Sequence, residues 1–231
     1  INEKKKNYKK TGKCYNNIGL VYTITGHYNK AMQFYLKSLE IREQLNDLKG
    51  MADVYGGLGN LNYYQNNYNK SLDYFLKEKK IRLEINDEKG LLSSLNNIGV
   101  IYTKLKRFND ALNHYDKVIR IAEKYNDVDR LANAYNNIGN VYMYQMKNYN
   151  QAEKFFRKNL SIKMKLEDFN GIATGKLNIG FSLYKQKRYN EALKYLISGS
   201  KYAKKAKAVY SEMKAYDLLA DTYYKLKDYQ N

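Results

Sequence analysis

The 231-residue sequence contains no proline and no tryptophan, and it has a single cysteine. The absence of proline excludes polyproline, collagen-like and proline-rich linker structures. It is also typical of a chain that is helical almost throughout, because a proline inside a helix costs about 3 kcal/mol. One cysteine excludes a disulfide framework and any metal site built from several cysteines, and it permits a reducing compartment.

Long apolar runs are missing as well, since none approaches the roughly 18 residues that a membrane-spanning helix needs. The first residues, INEKKKNYKK, lack the apolar centre of a signal peptide. We therefore expect a cytoplasmic chain with no membrane insertion.

Basic residues dominate the charge, with 41 Lys and Arg against 23 Asp and Glu and a formal net charge of +18. Hydrophobic residues make up 44% of the chain, which is enough to bury a core and argues against disorder. Lysine, asparagine, tyrosine and isoleucine share codons rich in A and T. An AT-rich genome therefore explains the excess charge as well as a functional basic surface does.

Internal repeats organise the sequence. The string NNIG occurs at residues 16–19, 96–99 and 136–139, and related strings end at positions 59, 180 and 220. These six anchor positions (19, 59, 99, 139, 180 and 220) are 40 residues apart, except for one spacing of 41. We expect the extra residue to lie in the turn QMKNYN before Gln151, where a loop can absorb it.

Each unit shows the apolar spacing of two helices, which we call A and B. Residues Tyr15, Ile18, Gly19 and Tyr22 follow the i, i+3, i+4, i+7 pattern of one helix face. A turn aromatic such as Tyr28 follows, and then comes an asparagine that we expect to cap helix B. These asparagines are Asn29, Asn69, Asn109, Asn150 and Asn190. Each unit is therefore predicted to form a pair of antiparallel helices.

The pattern Tyr15-x2-Ile18-Gly19-x2-Tyr22, followed by Ala31-x3-Tyr35, resembles the tetratricopeptide repeat. The period of 40 residues instead of 34, and the missing proline after helix B, depart from the usual form. This long form resembles the repeats of spindle-orientation adaptors, kinesin light chains and bacterial peptide-sensing regulators. The resemblance covers residues 11–231 and implies an all-α fold, a right-handed α-solenoid (superhelix) of about six stacked antiparallel helix pairs.

The resemblance implies a single array with repeats near 11–49, 50–89, 90–129, 130–170 and 171–207, and an incomplete one at 208–231. Residues Tyr229-Gln230-Asn231 match those that precede a helix B, and Ile1-Asn2-Glu3 resembles the end of an earlier helix B. The sequence also begins with Ile rather than Met. We therefore expect a segment of a longer protein, with further repeats or an output domain outside it.

Nothing in the sequence favours catalysis. Cys14 aligns with small residues in the other units, so we expect a packed thiol. His114 aligns with aromatic residues, and we expect its ring to pack in their place. His27 aligns with polar turn residues, and we expect it to be exposed. Neither histidine has a second ligand at metal-binding spacing. The string GGLGN at 56–60 lies inside a helix and lacks the Gly-Lys-Ser/Thr ending of a phosphate loop. We expect no enzyme, no cofactor and no metal.

The face of helix A opposite the core carries the candidate site. With the anchor residue numbered position 8 of helix A, the core uses positions 4, 7, 8 and 11, and positions 2, 5, 6, 9 and 13 point away from it. In the family resembled, that opposite face lines a concave groove that binds an extended or helical peptide. The predicted groove residues are Asn17, Asn60, Tyr64, Asn97, Lys104, Asn137, Asn140, Tyr144, Asn178 and Lys185.

A row of asparagines suits peptide binding, because each amide offers donors and an acceptor to a ligand backbone. Tyr64 and Tyr144 would select for apolar side chains. AT-rich drift would also place asparagine on a solvated face, so the row does not by itself show a site. Groove lysines outnumber groove carboxylates by two and concentrate toward the last repeats, where a carboxylate-rich segment would dock.

We consider three functions. The first is a non-catalytic adaptor that binds a peptide or protein segment in the groove. The second is a regulatory sensor module of a bacterial signalling protein. The third, nucleic-acid binding through lysine-rich patches such as Lys4 to Lys6 or Lys204 and Lys205, is the least favoured, and it predicts a steep salt dependence.

Overall fold

A computed structural model describes residues 2–230, with side chains described over 6–227. Over this range the chain is helical, with eleven α-helices and no strand. The helices are α1 (Asn2–Ile24), α2 (Tyr28–Gln44), α3 (Leu48–Tyr64), α4 (Tyr68–Glu84), α5 (Glu88–Lys104), α6 (Phe108–Lys124), α7 (Val128–Asn140), α8 (Tyr149–Lys165), α9 (Phe169–Lys185), α10 (Tyr189–Lys205) and α11 (Val209–Gln230). A π-helical segment, Val141–Gln145, continues α7. Odd-numbered helices are the predicted helices A, and even-numbered helices are the predicted helices B.

The same three-residue turn joins nearly every pair of consecutive helices. Its middle residue has a positive φ, and these residues recur every 20 positions: Gly26, Asn46, Asn66, Asn86, Lys106, Asn126, Lys147, Glu167, Lys187 and Lys207, with one spacing of 21. Glycine and asparagine suit this left-handed conformation. The next residue closes the turn, as where the Asp47 N–H donates to the Arg42 carbonyl at 2.9 Å. The turn that joins the two helices of a pair is therefore the same as the turn that joins one pair to the next.

Aspartates cap the helices A. The Oδ1 atom of Asp87 accepts the Gly90 N–H at 2.9 Å, and Asp47, Asp127 and Asp168 make the equivalent bond. The prediction that asparagines such as Asn29 and Asn69 cap the helices B was wrong, because each lies at the second residue of its helix. Helix B begins two residues earlier than predicted, because the left-handed turn residue lies two positions before the aromatic.

The extra residue of the fourth unit lies inside a helix rather than in the following turn, contrary to the prediction. The Met146 N–H donates to the Val141 carbonyl at 3.1 Å, and the Asn148 N–H donates to Tyr142 at 2.8 Å. Each of these hydrogen bonds spans one residue more than the equivalent bond two repeats earlier in the chain. The π-helical widening keeps the turn and the Asn148 cap unchanged.

The chain divides into two compact units, 1–114 and 115–231. In unit 1, α1 packs on α2, α2 on α3, α3 on α4 and α4 on α5, and α1 also contacts α3. Its core includes Ala31, Tyr35, Val54, Leu58 and Leu61. The boundary falls within α6, whose first seven residues belong to unit 1.

In unit 2, α7 packs on α8, α8 on α9, α9 on α10 and α10 on α11. The core gathers Phe156, Leu177, Ile179, Leu183 and Leu196. The helix α11 runs unbroken to Gln230, so the turn predicted just before Tyr229 does not form. At the other end, Asn2 and Glu3 lie within α1, and Ile1 and Asn231 lie outside the described residues.

Close packing explains the glycine anchors. A β-carbon at Gly59 would lie 2.7 Å from the Phe75 ring, and one at Gly139 would lie 2.6 Å from the Phe156 ring. Those distances are shorter than carbon atoms tolerate, so only glycine lets helix B place its ring against helix A. The glycine anchors Gly59 and Gly139 are therefore places where the two helices of a pair pack closely.

Candidate functional site

Three of the predicted groove residues meet in one cavity of unit 1. Asn60 and Tyr64 on α3 and Asn97 on α5 line a space of about 140 Å³. The remaining wall is apolar or aromatic, and sequence reasoning did not assign it: Tyr63, Phe75, Val100 and Ile101. Amide groups and an apolar wall thus face the same small volume.

The two asparagines are half-buried, and Tyr64 is 52% exposed. The Tyr64 ring meets Tyr63 edge-on, with 5.7 Å between the ring centroids. Lys104, another predicted groove residue, holds its Nζ 5.9 Å from the centre of the Tyr63 ring. A ligand here would meet two half-buried amides, an aromatic surface and one exposed cation.

A second cavity of unit 1, of about 280 Å³, is formed by α1, the end of α2 and the start of α3. The predicted Asn17 lines it, beside Asn16 and three lysines, Lys9, Lys13 and Lys49. We predicted that the groove lysines concentrate toward the last repeats, and that prediction did not include this cationic cavity in the first repeat.

Two further residues of this cavity, Arg42 and Asp47, were missed. Arg42 is buried and hydrogen-bonded to Asp47, and the Lys9 Nζ lies 3.5 Å from the same carboxylate. Burial alone would raise the pKa of Asp47, but the Gly50 N–H and the Arg42 guanidinium outweigh it and lower the pKa. The carboxylate therefore stays ionised and neutralises Arg42. The pair recurs 40 residues later as Arg82 and Asp87. This repetition is visible in the sequence and could have identified the pair.

In unit 2, two of the predicted residues lie against the ring of Phe181. Tyr144 stacks on Phe181 with 6.1 Å between ring centroids, and the Lys185 Nζ lies 5.2 Å from the Phe181 centroid. Asn137 and Asn140 are half-buried on α7. Asn178 is only 5% exposed, and its Nδ2 donates to the Asn136 Oδ1 at 3.5 Å. Phe181 is the neighbour that sequence reasoning did not assign.

The side chains with catalytic potential that we considered in the sequence are those of Cys14, His27 and His114. Cys14 is exposed, so the prediction of a packed thiol was wrong. Equivalent residues such as Val54 are buried because a preceding helix pair packs against them, and no such pair precedes α1 among the described residues. His114 packs its ring 5.2 Å from Tyr102, as predicted, and His27 is exposed in a turn. Within the described part of the chain, no group of three or more His, Cys, Asp or Glu residues is arranged to hold a metal ion.

Among the described residues, none of the helices has both the length and the apolar character that crossing a membrane requires.

Several solved structures share this architecture. The protein from Pyrococcus horikoshii described as a signal transduction ATPase with numerous domains, with a tetratricopeptide repeat sensor, superposes with a TM-score of 0.83 at 20% identity, over 93% of this chain and 33% of that one. BtubC (BKLC) from P. vanneervenii gives 0.79 at 18% identity, over 87% and 82% of the two chains. A Rap protein complexed with competence and sporulation factor gives 0.72 at 17%, over 94% and 64%.

The present chain thus spans one third of the length of the Pyrococcus protein, and these likenesses concern the fold alone. No protein of curated function matches the sequence itself. The sequence profile described as tetratricopeptide repeat, however, matches residues 11–84 and 90–165. These segments make up more than half of the chain and coincide with its helix pairs, and the chain therefore belongs to the tetratricopeptide repeat family.

Proposed function

We propose that this chain is a non-catalytic adaptor that binds a peptide or protein segment along the exposed face of its helices A. Tetratricopeptide repeats are generally interaction modules without catalytic activity. The observation that carries the proposal is the cavity in which Asn60, Tyr64 and Asn97 converge. The two amides bind the ligand backbone, and the apolar wall accepts one apolar side chain.

The two cavities of unit 1 suggest a ligand pattern, since α3 lines both of them. Asp53 borders the cationic cavity and Asn60 borders the apolar one. Seven residues of helix span about 10 Å, which an extended peptide covers in about three residues. We therefore expect the ligand to carry an acidic residue about three positions away from an apolar residue.

A random-sequence library of 12-residue peptides displayed on phage tests the proposal, with the purified chain as target. Enriched peptides should share the acidic and apolar spacing. The double variant Asn60→Ala with Asn97→Ala should weaken their binding about 30-fold, because two backbone hydrogen bonds contribute about 2 kcal/mol in total. Fluorescence anisotropy with labelled peptides measures the loss.

The matched control is Asn69→Ala with Asn109→Ala, since both asparagines are exposed near the start of a helix B. This variant should bind like the parent chain. Failure to enrich any peptide, or equal weakening in the test and control variants, would contradict the groove assignment.

A regulatory sensor module of a signalling protein is the second candidate, and the similar structure described as a tetratricopeptide repeat sensor favours it. A sensor must change shape when its ligand binds. Small-angle scattering during the same peptide titration distinguishes the two functions. A change in the radius of gyration supports the sensor, and an unchanged radius supports the adaptor.

A further inference from the structure

The cationic cavity of unit 1 has an unbalanced charge. Its lining comes from α1, from the end of α2 and the turn after it, and from the start of α3: Lys9, Lys13, Asn16, Asn17, Arg42, Asp47, Lys49, Gly50 and Asp53. Four of these residues are cations and two are carboxylates, so the wall carries two excess positive charges. The volume of about 280 Å³ is twice that of the cavity lined by Asn60 and Tyr64.

Arg42 is the buried cation of this wall. It is 6% exposed and pairs with Asp47, and no other carboxylate among the described residues pairs with it. The Asp47 carboxylate also pairs with Lys9, whose Nζ lies 3.5 Å from Oδ1. One negative charge is thus shared between two cations.

Two later repeats show how the chain neutralises a cation at this position. Arg82 and Lys163 are the equivalents of Arg42, and each pairs with the aspartate of the following turn, as Arg42 does. Each also pairs with a second carboxylate, which comes from its own helix A. The Asp53 Oδ1 lies 2.5 Å from the Arg82 Nη2, and the Asp129 Oδ1 lies 3.6 Å from the Lys163 Nζ.

The first repeat has no carboxylate at either of these places. Lys13 lies at the position equivalent to Asp53, and Lys9 lies at the position equivalent to Asp129. Both lysines are exposed and border the cavity. The place that a carboxylate takes beside Arg82 is therefore left to an anion from outside the chain.

The charge of the wall favours a doubly charged anion over a carboxylate. A carboxylate would neutralise one of the two excess charges, whereas a phosphate monoester carries about −1.5 to −2 charges at neutral pH. Its oxygens can accept hydrogen bonds from the Arg42 guanidinium and from the ammonium groups of Lys13 and Lys49 at the same time.

We propose that this cavity binds a phosphorylated side chain of the peptide that lies along the helices A. The inference rests on the proposed function, since α3 joins this cavity to the one in which Asn60 and Asn97 bind the ligand backbone. The acidic residue of the expected ligand is then a phosphorylated residue, about three positions away from the apolar one.

Two peptide libraries test the proposal, with the purified chain as target. Each 12-residue peptide has one fixed residue in an otherwise random sequence, which is phosphoserine in one library and glutamate in the other. Peptides retained from the phosphoserine library should bind about tenfold more tightly than the same peptides with glutamate at the fixed position, because the second charge strengthens the hydrogen bonds to the cations. Fluorescence anisotropy with labelled peptides measures both affinities.

The substitution Lys13→Asp tests the site within the chain, because it gives the first repeat the carboxylate that Asp53 supplies to Arg82. This carboxylate should occupy the place of the phosphate and remove the tenfold preference for phosphoserine. The matched control is Lys10→Asp, which makes the same change of charge at an exposed residue that does not line the cavity. The control should keep the preference.

The double variant Asn60→Ala with Asn97→Ala separates this inference from the proposed function, since it should weaken the phosphoserine and glutamate peptides alike. Equal affinity for the two peptides, or a preference that Lys13→Asp leaves intact, would overturn the phosphate site and leave the groove in place. Retention of no peptide from either library would contradict both. A polyuridylate oligonucleotide that binds more tightly than the phosphopeptide, and loses its affinity in Lys13→Asp, would also overturn the inference, because the cavity would then bind a phosphodiester backbone.

Discussion

In unit 1 the helix α4 carries Glu78 and Arg82 at positions where the equivalent helix of unit 2, α8, carries Asn159 and Lys163. Glu78 and Arg82 are 4% and 6% exposed, and Arg82 lies 2.5 Å from Asp53 and 2.7 Å from Asp87. In unit 2 the Asn159 Nδ2 donates to the Ala132 carbonyl at 2.8 Å, with no charge involved. At this buried position α4 thus carries charged side chains that pair with one another, whereas α8 carries a neutral amide.

The difference has an electrostatic consequence. The pKa of Glu78 is raised to about 7: burial is the largest cause and nearby Asp53 acts in the same direction, while Ser94 and Arg82 offset part of the rise. One carboxylate oxygen of Glu78 has no hydrogen-bond partner. Unit 1 therefore contains a buried acid that changes charge near neutral pH, and its counterpart Asn159 does not titrate. Three predictions test this contrast.

The largest effect should follow from removing the buried cation of unit 1. Arg82→Met leaves Glu78 buried without its partner and should cost about 3 kcal/mol of unfolding free energy. Lys163→Met should cost about 1 kcal/mol or less, because the side chains of its partners Asp129 and Asp168 are 73% and 37% exposed and water screens the pairing. Urea denaturation followed by circular dichroism measures both.

Hydrogen exchange by mass spectrometry locates the damage. Arg82→Met should reduce amide protection in α4, and Lys163→Met should act mainly in α8. Equal costs for the two substitutions would show that the buried charges of unit 1 are no more important than the more exposed pairs of unit 2.

The second prediction concerns pH. Because the pKa of Glu78 in the folded chain lies above its ordinary value of 4.5, the folded state binds more protons than the unfolded state between these values. This contribution is fully present below about pH 4.5 and is lost as the pH rises through 7. The change amounts to about 3 kcal/mol at most.

Glu78→Gln should flatten the loss of stability between pH 5.5 and 8, as measured by urea denaturation at several pH values. The cap aspartates Asp47, Asp87 and Asp168 have lowered pKa values, so their contribution is lost only below this range, as the pH falls. Protection of α8, corrected for the intrinsic exchange rate, should not vary with pH. A slope that persists in Glu78→Gln would assign the pH dependence to other groups.

Much of the fold followed from the sequence, because the anchors report packing that recurs in every pair. Gly59 and Gly139 could be recognised since a repeated glycine facing a repeated aromatic implies close approach. The Asp47 and Asp87 caps and the π-helical segment could not be placed in this way. Their positions depend on where the left-handed turn residue falls, and a shift of one or two residues leaves the hydrophobic period unchanged.

The candidate site was only partly predictable. Asn60, Tyr64 and Asn97 follow from helix periodicity, since they lie on one face of adjacent helices A. The cationic cavity depends on Arg42, which reaches it from the end of a helix B, and periodicity within helix A says nothing about that. Asn178 shows the converse, because its position predicts exposure while packing in unit 2 buries it.

The smallest effects should come from the helix caps, where each aspartate also pairs with a cation. The Asp168 Oδ1 accepts the Gly171 N–H at 2.9 Å and its Oδ2 pairs with Lys163, and Asp87 makes the same bond to Gly90 and pairs with Arg82, which is the more deeply buried cation. Asp168→Ala should cost about 1 kcal/mol, which is typical of a lost cap. Asp87→Ala should cost somewhat more, because the cation that loses its partner is the more buried one.

A double-mutant cycle separates the two contributions. In the Arg82→Met background, the cost of Asp87→Ala should fall to the value measured for Asp168→Ala in the Lys163→Met background, since only the cap then remains to be lost in each unit. An unchanged cost would mean that Asp53 and Glu78 already satisfy Arg82. The contrast between the units would then rest on the buried Glu78 alone, and the cap positions of unit 1 and unit 2 would be energetically equivalent.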